Sequence, residues 1–200
     1  MQNLKISISK SNIKMGAIPS VSLPPVATCS NCSECKNKCY ALRMIKRRPS
    51  IGQAYQRNLD IFNYSPDIFK QQVIAAAMIS NYFRWFTGGD IPNKEFFNMM
   101  VDIANTCKNC NFLAFTKNYN VVNEFIANGG TIPPNLKIIF SEWKKAIPNP
   151  FNLPKSKVIF RGEQPPTDAK ICGGNCYNCI CQGIACWTLA NNDTIYFYEH

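Results

Sequence analysis

Eleven cysteines in a chain of 200 residues are the side chains best able to do chemistry, and most of them stand in two groups. Cys29, Cys32, Cys35 and Cys39 form the first, and Cys172, Cys176, Cys179, Cys181 and Cys186 the second. Thiolates spaced two to four residues apart can converge from one loop onto a single ion, whereas an odd and tightly grouped set argues against a secreted disulfide framework. The one histidine is His200, at the last position of the sequence. Without an internal imidazole, Ser-His-Asp, Cys-His and His-metal chemistries fall away. A metal site here is therefore built from cysteine alone, which means zinc in a closed four-cysteine site or an iron-sulfur cluster.

The first group has the x2, x2, x3 spacing of bacterial ferredoxin ligands. Its basic neighbours Lys36, Lys38, Arg43, Lys46, Arg47 and Arg48 lower thiol pKa values and offset a cluster's negative charge. Zinc held by all four thiolates is the competing expectation. In the second group Gly173 and Gly174 let the backbone turn tightly, and the segment reads as a structural or auxiliary metal site, zinc and iron-sulfur being equally open. Five cysteines for four positions leave one spare, either Cys181 or Cys186. Cys107 and Cys110 lie between a helix and a strand, where buried cysteine behaves as a small hydrophobe.

Positioning these groups requires a scaffold. At 200 residues the chain reads as one α/β domain over 1–200, too short for a complete eight-fold barrel of about 250 residues. A cysteine loop occupies 28–40 and a cysteine knuckle 172–187. Alternation predicts a short strand over 5–9, and 18–27 is an extended, proline-bearing stretch leading to the first cysteines. Helix is expected over 40–46, interrupted by Pro49, and over 51–62. Ser65-Pro66-Asp67 is a start signal for a helix to about residue 82. Strands over 83–87, 111–116, 136–141 and 157–160 then alternate with helices over 94–105 and 118–128, and 194–198 is a closing strand. Repeated βα units predict a partial barrel or an open, doubly wound, mostly parallel sheet carrying Cys-rich metal-binding loops. The stretch 1–14 has no apolar core and the longest apolar run is 73–79, so a soluble cytoplasmic protein with reduced thiols and no membrane partner is expected.

In parallel sheets ligands bind beyond the carboxyl ends of the strands, so the residues closing each strand are candidates. They are Thr87-Gly88-Gly89-Asp90, Thr116-Lys117, Ser141-Glu142 and Arg161. Gly88 and Gly89 let the backbone approach a ligand, and Asp90 offers a carboxylate to an amine or hydroxyl. Lys117, Glu142 and Arg161 are candidates for an anionic substrate or for buried ion pairs, while Trp85, Phe86 and Trp143 read as core. The formal charge of +10 favours polyanionic partners, and Lys46, Arg47 and Arg48 head the acid-free basic run as candidate nucleic-acid contacts. No base-reading motif accompanies them.

Several segments together resemble the phage gene-product-88 family, proteins of bacteriophages and prophages. They are Ile18-Pro19-Ser20-Val21-Ser22-Leu23-Pro24-Pro25, Thr28-Cys29 through Cys39-Tyr40-Ala41, Arg57-Asn58-Leu59, Gly89-Asp90, Phe115-Thr116-Lys117, Phe140-Ser141-Glu142-Trp143, Cys172-Gly173-Gly174-Asn175-Cys176 and Phe197-Tyr198-Glu199-His200. That family is distantly similar to three-cysteine-motif phage proteins that resemble radical S-adenosylmethionine (SAM) enzymes. The resemblance implies a 4Fe-4S cluster over an α/β partial barrel, with Cys29, Cys35 and Cys39 as ligands. It also implies SAM as cofactor, with Gly88-Gly89-Asp90 as the glycine-glycine-acid turn at its amino group.

Three functions are expected in turn. The first is an iron-sulfur enzyme of radical SAM type in the host cytosol. The second is a non-catalytic iron-sulfur or zinc protein that binds nucleic acid through its basic surface. The third is a phage protein that inhibits a host or defence protein.

Overall fold

The computed structural model describes residues 4–183 and 186–199. In chain order the elements are β1 (Ile8–Ser9), β2 (Ser20–Val21), α1 (Tyr40–Arg47), α2 (Pro49–Tyr64), α3 (Pro66–Met78), β3 (Tyr82–Trp85), α4 (Lys94–Thr106), β4 (Asn111–Thr116), α5 (Tyr119–Ala127), β5 (Leu136–Glu142), β6 (Lys155–Ile159), β7 (Lys170–Ile171), α6 (Cys176–Cys181) and β8 (Thr194–Tyr198). They build an eight-stranded open sheet in the order β1-β2-β3-β4-β5-β6-β8-β7. β1 runs antiparallel to β2, and the pairings from β2 to β7 are parallel.

The order from β2 to β6 follows the chain, with no reversal at which helices would change sides. Right-handed crossovers then place the helices on one face, so the doubly wound alternative is corrected to a singly wound, open sheet. Strand alternation accounts for the two faces. Phe83, Trp85, Phe112, Ala114, Leu136, Ile138 and Phe140 point to the helices and form the main core with Phe62, Phe69, Val73, Phe96, Met100 and Val122. The opposite parity carries Leu113, Ile139 and Ile195, packed with Leu189, Cys172, Cys186, Trp187 and Phe197 into a smaller second core. The cysteine knuckle thus covers the face that a closed barrel would enclose. No helix lies between β5 and β6, and the only α-helix after β5 among the described residues is the six-residue α6.

Local signals explain the helix boundaries. Pro49 takes the first helical position of α2 rather than interrupting a helix, because its missing N–H is an orphan there anyway. Pro66 and Asp67 open α3 as expected, and Asn93 caps α4 by accepting from the Phe96 backbone N–H at 2.9 Å. The extended stretch before the first cysteines contributes β2, whose Ser20 and Val21 pair with Arg84 and Trp85. No helix of the described residues is long and apolar enough to cross a membrane.

Phe96 stands at the centre of the main core, with the rings of Phe62, Phe69, Phe86 and Trp85 at centroid distances of 4.7, 5.6, 5.6 and 5.8 Å. Truncation there leaves a cavity walled by stiff rings. Phe96→Ala is expected to cost about 3–5 kcal/mol, read as a lower urea midpoint at unchanged slope. A loss below about 1 kcal/mol would place Phe96 outside the core.

Candidate functional site

The first cysteine group lies over the carboxyl ends of the parallel strands, and a polar network seats it there. Thr28 is buried just before Cys29; its hydroxyl donates to Pro24 O at 2.8 Å and accepts from the Asp90 N–H at 3.1 Å. Asn31 Nδ2 donates to Lys117 O at 2.5 Å, and the Tyr40 hydroxyl donates to Thr87 O. The Gly88-Gly89-Asp90 turn is the floor of this seat. Gly88 accepts from Leu23 N–H at 3.0 Å and donates to Ser22 Oγ at 3.3 Å. Gly89 has φ +80°, and a Cβ there would come within 2.5 Å of Leu23 O and 2.8 Å of Thr28 Oγ1, so only glycine fits.

Asp90 is 4% exposed, and its carboxylate accepts from Thr116 Oγ1 at 2.6 Å, Ile91 N–H at 2.7 Å and Lys117 N–H at 2.8 Å. Burial lifts the carboxyl to about 6 against the opposing pull of these donors. The structure therefore gives Asp90 a holding role that joins β3's exit turn to the end of β4.

Among the described residues no group of three Cys, Asp, Glu or His side chains is placed so as to hold a metal ion. The thiols of each group nevertheless lie within electrostatic reach of one another. Cys29 feels Cys32 and Cys35, and Cys35 feels Cys32 and Cys39. Burial pushes the Cys29 thiol up to about 12; it also raises Cys35, with Lys117 pulling the other way. These thiols are protonated at neutral pH, so a metal taken up here displaces protons.

The second group sits elsewhere, against the helix-free face of the sheet. Cys176 and Cys179 are one turn apart on α6, whereas Cys181 points off their shared side and is exposed. Cys172 leads in from β7 and accepts from Gly174 N–H at 3.4 Å, and a Cβ on Gly173 would lie 3.4 Å from Cys179 Sγ. Cys186 returns beside them, half-buried in the second core and in electrostatic contact with Cys172, Cys176 and Cys179. Burial raises the Cys186 thiol to about 12, and Arg84 opposes the shift. Placement thus sets Cys181 apart from the other four. Arg84 and half-buried Lys14 face this set; both escaped the sequence reading, though a lone arginine within the Tyr82-Phe83-Arg84-Trp85 run was its signal.

The remaining candidates separate. Glu142 is paired with Lys157 at 2.6 Å and Lys155 at 3.6 Å, which is the ion-pair reading. Lys117 donates through Nζ to Ser141 O at 3.2 Å and lies over the Trp143 ring at 5.5 Å. Arg161 is exposed and lines a cleft of about 610 Å³ with Trp143, Phe160 and Lys38. Trp85 and Phe86 are core, but half-buried Trp143 is a rim residue and its core assignment is corrected. Lys46, Arg47 and Arg48 are exposed at the end of α1, where positive charge complements the helix dipole. Cys107 and Cys110 are buried in the main core, as expected of apolar packing. His200 lies outside the described residues.

A family model described as Gene product 88 matches residues 2–173. No curated protein and no solved structure matches the chain.

The raised Asp90 value sets a sign for stability. The folded form binds this proton more tightly than the unfolded one. Its stabilisation, about 3 kcal/mol, is fully present below the unfolded carboxyl value and is lost as pH rises through about 6. Asp90→Asn is expected to remove that part of the slope, checked by urea midpoints of both proteins at about pH 4 and pH 7. Identical pH slopes would mean that the carboxylate is solvated.

Proposed function

We propose, for a chain that belongs to the Gene product 88 family, that the cysteines of residues 28–39 hold a 4Fe-4S cluster at the carboxyl edge of the sheet and serve an enzyme of radical SAM type. The observation that carries this reading is the seat of the loop. Thr28, Asn31 and Tyr40 bind a cysteine-dense segment across the strand ends, the place where parallel α/β sheets bind ligands.

The donor set suits such a cluster, since it is all thiol and has Lys117 beside Cys35. Gathering the sulfurs around a cluster takes side-chain rotation in a loop whose backbone bonds are local turns, such as Lys36 N–H to Cys32 O and Cys39 N–H to Lys36 O. Metal binding, typically strong enough to fold a small domain by itself, supplies the free energy. Cys29, Cys35 and Cys39 are the ligands that leave one iron open, and Cys32 stands beside them. Held by Cys29, Cys35 and Cys39, such a cluster would supply one-electron reducing chemistry toward SAM. The chain's contribution is placement: Gly88 and Gly89 let the turn close against Tyr55 and Leu23 rather than opening it to a ligand, and Asp90 holds that turn and the Lys117 backbone in position. Cys172, Cys176, Cys179 and Cys186 form an auxiliary closed site for zinc or iron-sulfur.

Reconstituted protein given SAM and dithionite under anaerobic conditions is expected to release 5′-deoxyadenosine. Cys35→Ala and Cys39→Ala should abolish the release, whereas Cys181→Ala should leave it unchanged. A wild-type protein with full cluster content that releases none would contradict the enzymatic reading.

A further inference from the structure

We infer that the cleft beside the cysteine loop binds a nucleotide unit, its base against Trp143 and Phe160 and its phosphate against Arg161 and Lys144. The cleft of about 610 Å³ is the size of a small-molecule site, which typically spans about 300–1,000 Å³. It opens where β5, β6 and β8 end, so it occupies the ligand-binding edge of the sheet.

Its walls combine two chemistries that a nucleotide needs. Trp143 and Phe160 meet edge to face, with centroids 5.5 Å apart and planes at 88°, and form an aromatic corner. A planar base can stack on one ring while its edge meets the other. Both aromatics are half-buried on the rim, outside either core cluster. The cations stand around this corner. Lys144 Nζ lies 5.3 Å from the Phe160 ring centroid, and Lys117 Nζ lies 5.5 Å from that of Trp143.

Charge decides which ligand fits. Of the two carboxylates in the cleft, Glu199 is engaged by Lys38 and accepts from the Arg161 N–H at 3.4 Å. Glu163 accepts from the Phe160 N–H at 2.8 Å. Among the described residues neither Lys144 nor Arg161 has a carboxylate within ion-pair distance. Two exposed cations beside an aromatic corner suit an anion attached to a planar ring. Inorganic phosphate would leave the rings unused, and an apolar ligand would leave Arg161 without a counter-charge within ion-pair distance and Lys144 with only the shared Glu199. The cysteine loop shares this wall through Lys38, and through Glu34, which accepts from the Lys144 N–H at 3.3 Å. The inference does not depend on which metal the cysteines hold.

A free nucleotide and a nucleotide within a single strand present the same chemistry, and the test separates them. The purified 200-residue chain would be titrated with each nucleoside 5′-monophosphate, with a short oligothymidylate and with inorganic phosphate, followed by tryptophan fluorescence and calorimetry. Saturable binding of a nucleotide or the strand is expected. Trp143→Ala should weaken it roughly 10-fold or more, as stacking on an aromatic side chain is worth about 1–3 kcal/mol per base. Arg161→Ala, at an exposed position, should weaken it as well and lower the salt slope by about 1. Nucleotide affinity equal to that of the strand identifies a small-molecule site, and tighter binding of the strand identifies single-stranded nucleic acid. The inference is overturned if neither binds, if phosphate alone binds as well as a nucleotide, or if Arg161→Ala leaves affinity and salt slope unchanged.

Discussion

A carboxylate taken into a dry interior must be met by hydrogen-bond donors, and the burial of Asp90 organises the carboxyl ends of β3 and β4. Its three donors come from its own turn, from the last residue of β4 and from the residue after it. Its backbone N–H reaches Thr28 at the mouth of the cysteine loop. The exit of β3, the end of β4 and the entry to the loop are thereby fixed relative to one another. Lys117 takes its position from the same network, because its N–H binds Asp90 and its carbonyl receives Asn31. Lys117, which lies beside Cys35 and over the Trp143 ring, is placed through this one buried group.

The second organising fact is the division of labour between the two faces. A sequential strand order puts α2 to α5 on one side and leaves the other to whatever the end of the chain can supply. A segment of short turns rich in glycine and cysteine has little apolar surface, and the second core is correspondingly small. On the proposed reading, a metal bound by Cys172, Cys176, Cys179 and Cys186 beside Arg84 and Lys14 would supply cohesion of another kind, since metal-bound thiolates and nearby cations attract. A metal staple is the economical way to hold such a segment.

Periodicity made the regular part of the fold legible. The strands at 111–116 and 194–198 stand where alternation placed them, because aromatic and β-branched runs bounded by polar residues have no competing helical reading. β2 was legible only as extended chain. Two residues between prolines carry no period, and their partners Arg84 and Trp85 lie far along the sequence. The Gly-Gly-Asp turn lies where the strand pattern put it, just beyond β3. Composition could not show that Gly89 is required by Leu23 O and Thr28 Oγ1, or that three donors already surround Asp90. The aromatic cleft was hidden for a related reason. Trp143 reads as core in any sequence window, and only the turn after β5 brings it to the rim beside Phe160. Choosing between Cys181 and Cys186 likewise needed the helical phase of α6 and the return of the chain to the second core.

The account rests on cysteine sulfur binding inorganic iron and sulfide at the edge of the sheet. Quantifying iron, acid-labile sulfide and zinc per chain in protein isolated without oxygen tests this most directly. The account predicts iron and sulfide in near-equal amounts, with most of the iron lost from the Cys35→Ala, Cys39→Ala double variant. Zinc as the only metal, or full iron retention in that variant, would contradict it.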